Sequence, residues 1–379
     1  MFVRVISILL VITSAVLLFF ASMAMANSVA VRDMAQYWAA AHLLTENPYS
    51  AERARAWEIQ AGMSPNRHAM VMPNPPWALP FVLPFRFMSY RVAFAFWTVF
   101  TLAAVAGCAR VLWALYTDRN SLAPAFISLL FGPTLTNMAL GQFAVLGLLG
   151  ITLFLWLIKK RLDWWAGASL LLVMIKPHVV LLFLLALVFW VISTRRWAVV
   201  FGAAIALAAA TALAVAMDTS VLQQYFQYAH RFTREQIPYP NVGGILFLLT
   251  KQHLLALLPS LVGIVWVTYY WWRKRSTWDM TIDGSFVILV SIACTYYSYS
   301  YDEIITLPAL LGAAAIGKRI PFLVGFIVVE VAYVFFWANG GGATGWDYMI
   351  LSWVSLALLL TYLASIRGAN RQTTAAPIS

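Results

Sequence analysis

Asp33 is the first residue of this chain whose type and position suggest chemistry. Asp33 and Tyr37 are one helical turn apart, so they share a face of any helix that begins here. A carboxylate partly shielded from water has a raised pKa and can act as a general base. Asp33 could equally be an ordinary helix-start residue favoured by the helix dipole.

A lysine and a histidine flank one proline between two closely joined apolar segments, as Lys176-Pro177-His178. Cationic donors in such a constricted place suit a phosphate group. The open alternative is a lysine that snorkels from a segment end to a membrane interface. Arg231 is a further candidate cation, whereas we interpret Arg234 as solvated loop charge.

Asp302 and Glu303 follow a tyrosine-rich run at residues 296–301. Aromatic rings stack on the C–H face of a sugar while carboxylates accept its hydroxyl hydrogens, so this cluster could bind a sugar. An aromatic belt at a membrane interface is the alternative. Gln142 ends an apolar segment and is a weaker candidate. Glu330 lies inside an apolar segment, must face protein or water, and has no evident partner in the sequence.

The elements that position these residues are membrane spans. The 379-residue chain is 63% hydrophobic and 10% charged, against about 25% charged residues in soluble domains. It is therefore an integral membrane protein, and we predict an all-α polytopic fold. Spans are expected near residues 3–27, 91–116, 121–138, 143–158, 163–176, 178–193, 197–217, 253–272, 284–300, 303–317, 319–338 and 347–366.

Basic residues concentrate in alternate loops between these spans. They are Lys159-Lys160-Arg161, Arg195-Arg196, Arg273-Lys274-Arg275, Lys318-Arg319, Arg367 and Arg371. The positive-inside rule makes these loops cytoplasmic, with both termini, in the inner (plasma) membrane. The net charge of +11 then reflects span flanks that meet anionic membrane lipids rather than nucleic acid. The polar clusters lie in the opposite loops, so the site is expected on the extracytoplasmic side, away from cytoplasmic nucleotides.

The remaining segments are shorter. Residues 75–88 hold several prolines and should form a broken or re-entrant piece. Residues 28–74 should contain a surface helix at 30–45 and a second helix, capped by Ser50, that reaches Gln60 with Glu58 on its polar side. Residues 218–252 should contain a surface helix at 220–234. We expect one domain over 1–369 and a disordered cytoplasmic tail at 370–379.

The N-terminus permits two interpretations. Residues 1–26 end in Ala24-Met25-Ala26, which is typical of a signal-peptide cleavage site. The apolar stretch at residues 5–26 is longer than the roughly 7–15 residues of the apolar core (h-region) of a signal peptide, so we favour a retained span.

No cofactor or metal is expected. Cys108 and Cys294 both lie in apolar runs, and the sequence has no CxxC, HExxH or Asp-x-Asp pattern. Gly340-Gly341-Gly342 lacks the lysine of a phosphate-binding loop, so loop punctuation explains it better.

Taken in order, several short motifs resemble glycosyltransferase family 87. They are an Asp after the first span, Tyr-Trp-Ala-Ala-Ala (37–41), Asn-Pro-Tyr (47–49), Pro-Pro-Trp (75–77), Gly-Gln (141–142) and Lys-Pro (176–177). Members of this family are polytopic GT-C enzymes that use polyprenyl-phosphate sugars. The chain departs from the family at Thr45-Glu46, after Gln142, and at residues 299–303, where the late Ser-Pro…His segment is replaced.

The resemblance implies a transferase that moves mannose or a similar sugar to a lipid or glycan acceptor without a metal. Asp33 would be the general base, and inversion at the anomeric carbon is expected. Lys176, then His178 and Arg231, would hold the donor phosphate. The other substrate-binding candidates are Tyr37, Gln142, Tyr299, Asp302 and Glu303.

Three other functions stay open. A transporter or lipid flippase would also be polytopic, but we find no internal repeat. A glycan polymerase or ligase would share the outer-face site. A structural subunit of an envelope complex predicts that the change Asp33→Asn has no effect.

Overall fold

The computed structural model describes residues 33–66, 68–117, 119, 121–232, 239–339 and 347–367. Over this part of the chain all regular structure is helical, as expected, and no strand occurs. The α-helices are α1 (Met34–His42), α2 (Ala51–Gln60), α3 (Tyr90–Thr117), α4 (Ala123–Leu130), α5 (Gly132–Leu140), α6 (Ala144–Lys159), α7 (Asp163–Val173), α8 (Leu181–Thr194), α9 (Trp197–Met217), α10 (Val221–Phe232), α11 (Val242–Thr250), α12 (His253–Ala256), α13 (Leu258–Lys274), α14 (Ser285–Cys294), α15 (Leu307–Ile316), α16 (Arg319–Ala338) and α17 (Val354–Ile366).

Short tight helices join several of these elements. The 3₁₀ helices are Pro76–Phe81, Leu83–Phe87, Pro177–Val180, Ser300–Thr306 and Asp347–Leu351, and a π-helical turn covers Met280–Gly284. The proline-rich piece at 75–88 is therefore broken, as the sequence predicts.

Six helices in the described ranges are long and apolar enough to cross a membrane. A seventh crossing is possible if the bent pair α4–α5 is one span. Long apolar helices suit a bilayer because they satisfy their own backbone hydrogen bonds. The expected count of twelve is not confirmed, since α6 and the helix at 280–294 are shorter. The predicted first span, the signal-peptide alternative, Gly340-Gly341-Gly342 and the tail lie outside the described residues.

A sharp bend divides the span predicted at 121–138. Helices α4 and α5 meet at an angle of 61°, and Pro133 supplies no backbone N–H for the next turn. The Gly132 N–H instead donates to both carboxylate oxygens of Glu330, at 3.1 and 2.9 Å. A Cβ at Gly132 would lie 2.3 Å from Tyr333 Cγ, so the close contact between α5 and α16 at this point requires glycine.

Helix α1 differs from the predicted surface helix at 30–45. All of its residues from Met34 to Ala41 are buried, so it packs inside the protein rather than on a surface. Its alanines allow this close approach because they have no side chain beyond Cβ. Helix α10 covers most of the helix predicted at 220–234, and Arg234 lies outside the described residues.

Helix α2 begins and ends as predicted, and the Ser50 hydroxyl accepts from the Arg53 N–H at 3.4 Å. Glu58 is not on a solvated polar face: its side chain is buried. Its two carboxylate oxygens accept the Met70 N–H at 3.0 and 3.1 Å. Glu58 therefore fastens the following loop to α2.

The helices separate the polar clusters from the basic residues. Helix α6 begins just after Gln142 and ends at Lys159, a length of 16 residues and about 24 Å. Helix α7 then leads back to Lys176, and α8 returns to Arg195.

Gly167 and Gly202 bring α7 and α9 into backbone contact, a packing that small residues permit.

Candidate active site

A left-handed glycine directs Gln142 into the protein. Gly141 ends α5 with φ 71° and ψ 37°, a conformation that glycine adopts without strain. Its N–H donates to Met138 O, and the Gln142 N–H donates to Asn137 O at 2.9 Å. A Cβ at position 141 would lie 2.6 Å from Met34 Cβ. The turn therefore fixes the direction of the Gln142 side chain and the distance between Gly141 and α1.

The side-chain amide of Gln142 joins three segments of the chain: the start of α1, its own turn and Lys176. Its Nε2 donates to Asp33 Oδ2 at 2.6 Å, and its Oε1 accepts from the Tyr37 hydroxyl at 2.8 Å. The same oxygen accepts from Lys176 Nζ at 3.2 Å. Because donors surround one end of the amide and a carboxylate the other, its orientation is fixed. The sequence candidates Asp33, Tyr37, Gln142 and Lys176 thus form one network.

Asp302 completes this network as the partner of Lys176. Lys176 Nζ lies 2.8 Å from Asp302 Oδ1, with the two side chains 11% and 0% exposed. The second carboxylate oxygen accepts the Tyr299 N–H at 3.0 Å, and Lys176 Nζ lies 4.8 Å from the Tyr301 ring centroid. A buried ion pair is tolerated only when such additional contacts offset its desolvation.

Asp33 is held by a side-chain hydrogen bond at one of its carboxylate oxygens. Burial raises the pKa of the Asp33 carboxyl, while the Gln142 hydrogen bond and the Lys176 charge oppose that rise. Among the described residues, only Oδ2 accepts a side-chain hydrogen bond. The residue is partly exposed, so a hydroxyl can approach its carboxylate. A positioned carboxylate with a raised pKa can accept a proton.

The segment Asn74-Pro75-Pro76-Trp77 holds the backbone directly before Lys176. Asn74 Nδ2 donates to Ile175 O at 3.1 Å, and Trp77 Nε1 donates to Met174 O at 2.8 Å. Tyr49 in turn donates to Asn74 O at 2.9 Å. We did not assign these roles from the sequence, although an Asn beside two prolines and a Trp marks a rigid polar turn.

Among the described residues, Glu303 bonds Tyr333 and no member of the network. Its Oε2 lies 3.0 Å from the Tyr333 hydroxyl, which also lies 2.8 Å from Ser300 O. Both side chains are buried. Tyr333 also packs over Gly132, so Glu303 belongs to the structural layer around the bend.

The remaining candidates lie at different distances from the network. Tyr299 contributes its backbone N–H, and its ring stacks on Tyr301 at 5.3 Å. The His178 ring lies 4.8 Å from Tyr297, and its Nε2 is buried without a partner among the described residues. Arg231 is exposed on α10. Within the described ranges no hydrogen bond or ion pair joins it to the network, so its expected role beside Lys176 has no structural support.

The network is tightly packed. A cavity of about 10 Å³ lies beside Lys176, between Phe143, Val180 and Ile305, and it has room for a single water at most. In the ranges the structure describes, no group of three or more His, Cys, Asp or Glu residues is placed to hold a metal ion.

Comparison with known protein families gives one match. The sequence model of glycosyltransferase family 87 matches residues 73–293, more than half of the chain, which confirms the resemblance found in the motifs. The matched range includes Gln142 and Lys176, whereas Asp33 and Asp302 lie on either side of it. No curated protein and no solved structure matches the chain.

Proposed function

Because the chain belongs to glycosyltransferase family 87, we propose that it transfers a sugar from a polyprenyl-phosphate donor to a hydroxyl of a lipid or glycan acceptor. The donor sugar would be mannose or a similar sugar. The observation that supports this proposal is the network of Asp33, Gln142, Lys176 and Asp302, which joins a base to a buried cation.

Asp33 is the general base of the proposed reaction. Its carboxylate takes the proton of the acceptor hydroxyl while the hydroxyl oxygen bonds to the anomeric carbon, which inverts the configuration. The bond between the anomeric carbon and the phosphate oxygen breaks at the same time, and the polyprenyl phosphate leaves with the electron pair. Gln142 keeps Oδ2 in place, so the base does not have to reorient during the reaction.

Lys176 stabilises the departing phosphate. An ammonium group has three donors, and Gln142 and Asp302 accept two of them. The third can bind a phosphate oxygen. A cation in a site with little water stabilises developing negative charge strongly. Asp302 keeps Lys176 in position through their ion pair, which makes it a positioning residue.

Several buried polar atoms nearby suit sugar hydroxyls. His178 Nε2, Asn74 Oδ1 and Ser300 Oγ are buried without a partner among the described residues. Buried polar groups are rarely left unsatisfied. Because the cavity beside Lys176 holds a single water at most, a sugar reaches these atoms only when neighbouring side chains move. The partly exposed Tyr299 ring, which stacks on Tyr301, offers a stacking surface near Lys176.

The sidedness and the fold family are also part of the proposal. Helix α6 separates the network from the basic end of the bundle, and positive loops favour the cytoplasm. We therefore place the site on the extracytoplasmic face of a GT-C-like fold. The donor carries a single phosphate, so the reaction does not require a divalent ion to neutralise a pyrophosphate.

The test is sugar transfer by the purified protein in lipid. Radiolabelled polyprenyl-phosphate sugars serve as donors, and a membrane-lipid extract serves as the acceptor. The variants are Asp33→Asn and the matched control Asp218→Asn, an exposed-loop carboxylate that bonds Ser220 and Gln224. Removal of a general base slows a reaction by about 10²–10⁴-fold, so Asp33→Asn should lose transfer to that extent and Asp218→Asn should not.

Equal transfer by wild type and Asp33→Asn would remove Asp33 from the mechanism. No transfer from any donor, with intact thermal unfolding of the protein, would favour the transporter or flippase instead.

A further inference from the structure

A large cavity lies at the end of the bundle opposite to the Asp33 network. Its volume is about 660 Å³, and its lining comes from α3 and from the end of α6. This size is in the range of ligand sites, roughly 300–1,000 Å³. The lining residues are Gly107, Arg110, Val111, Ala114, Leu115, Trp156, Lys159 and Lys160.

Helices α3 and α6 run in the same direction from the network to this cavity. At the network end, Trp97 Nε1 donates to Gln142 O at 3.2 Å. At the cavity end, Lys159 Nζ donates to Leu115 O at 3.3 Å. The helix of 16 residues between these contacts spans about 24 Å. The cavity is therefore separate from the proposed active site.

The lining combines three cations with apolar side chains. Arg110, Lys159 and Lys160 supply three positive charges, and none of the described lining residues is acidic. Trp156 is 38% exposed and lies among the apolar residues of the lining. One turn of α3 from Arg110, a Cβ added to Gly107 would meet no atom within 4 Å, so this side is open.

We propose that this cavity binds an anionic phospholipid. The three cations hold the headgroup phosphate, and one acyl chain follows the open groove beside Gly107 and Trp156. Charge complementarity favours an anionic headgroup over a zwitterionic one, and basic pockets between spanning helices are suited to such headgroups. The apolar groove distinguishes a lipid from a free phosphate ion, which would contact only the basic end.

The experiment measures displacement of a fluorescent phosphatidylglycerol from delipidated protein in a neutral detergent, followed by polarisation. The competitors are phosphatidylglycerol, phosphatidylcholine with the same chains, and inorganic phosphate. The charge variant is Arg110→Gln/Lys160→Gln. Its matched control is Arg195→Gln/Lys318→Gln, which removes two exposed cations elsewhere at the basic end.

We expect phosphatidylglycerol to compete at least tenfold better than phosphatidylcholine. One cation near an anionic surface contributes about a factor of five, so the charge variant should bind about thirtyfold more weakly. The affinity of the control variant for phosphatidylglycerol should change by less than about threefold. Thermal unfolding of each variant checks its folding.

A second variant, Gly107→Leu, tests the lipid chain without changing any charge. Because this position is open, the leucine should fold normally and fill the groove, which weakens phosphatidylglycerol several-fold. Equal competition by the two lipids, or an unchanged affinity in the charge variant, would overturn the proposal. Efficient displacement by inorganic phosphate together with a silent Gly107→Leu would identify a free-anion site and overturn it as well.

Discussion

Charged residues at the two ends of α6 have opposite surroundings. Beside its first turn, Gln142 bonds both Asp33 and Lys176, and Lys176 bonds Asp302, at distances of 2.6–3.2 Å. At its last turn, Lys159 and Lys160 are exposed beside a cavity of about 660 Å³. The charges at one end are largely buried and hydrogen-bonded to one another or to Gln142, whereas the cations at the other end are exposed to an open space.

This difference follows from burial. A charge removed from water must be paired and hydrogen-bonded, or it destabilises the protein by several kcal/mol. An exposed cation keeps its hydration and tolerates a change of partner. The buried end is thus rigid enough to orient reacting groups, whereas the basic end can exchange ligands.

The sharpest test of this comparison is to break one buried and one exposed ion pair. Lys176→Met or Asp302→Asn alone should lower the free energy of unfolding by about 3–5 kcal/mol, because each leaves a buried charge without its partner. Arg53→Ala, which removes an exposed pair with Glu46, should lower it by about 0–1 kcal/mol.

The measurement is equilibrium unfolding in mixed micelles. The double variant Lys176→Met/Asp302→Leu should recover part of the stability lost by either single change, since no buried charge remains unpaired. Equal losses for the buried and exposed pairs would contradict the contrast between the two regions.

Two glycines provide a smaller test of packing. Gly132→Ala should destabilise the protein by about 1–3 kcal/mol, because the new Cβ would overlap Tyr333 and force a shift. Gly107→Ala, in the open groove of α3, should stabilise it by about 0.5–1 kcal/mol through helix propensity. Thermal unfolding of both variants in one detergent gives the comparison, and a destabilised Gly107→Ala would show that the groove is closed.

The acid limb of the activity profile should report the surroundings of Asp33. The Gln142 hydrogen bond lowers the pKa of this carboxyl against the effect of burial. Gln142→Leu should therefore raise that pKa further and move the loss of kcat/KM to higher pH. Sugar transfer measured across the pH range tests this, with Asp218→Asn as the control. An unchanged acid limb would mean that Asp33 does not determine it.

The smallest effect concerns Glu58, a buried carboxyl on α2 that belongs to neither end of α6. Burial raises its pKa to about 7 from an ordinary value of 4.5. A raised carboxyl pKa stabilises the folded state at low pH, and that contribution is lost as the pH rises through about 7. Hydrogen exchange at the Met70 N–H should accelerate, beyond its intrinsic pH dependence, between about pH 5 and 8. Glu58→Gln should remove this extra dependence, and the same excess in both proteins would exclude Glu58 as its source.

The helices themselves were largely predictable from the sequence. The span at 197–217 matches α9, and the helix capped by Ser50 ends at Gln60 as expected. Hydropathy is sufficient there, because a long apolar run can satisfy its backbone only as a helix. It does not predict the 61° bend at Gly132, since a bend depends on the residues packed against it.

The site was predictable only in part, for the same reason. The order of motifs singled out Asp33, Gln142 and Lys176, and the structure joins them. The partner of Glu330 is the backbone of Gly132, 198 residues earlier, and no local pattern indicates it. Glu303 is next to Asp302 in sequence but faces Tyr333, because adjacent residues on a tight helix point in different directions.

The pairing of Lys176 with Asp302 also has a consequence in time. The two residues are 126 positions apart, and ribosomes add about 5–20 residues per second. For about 6–25 seconds after Lys176 has been synthesised, the nascent chain does not yet contain Asp302 to pair with it. A membrane-inserted intermediate must therefore keep this lysine hydrated at the bilayer surface, and docking of the Ser300–Thr306 helix is among the late steps of biogenesis.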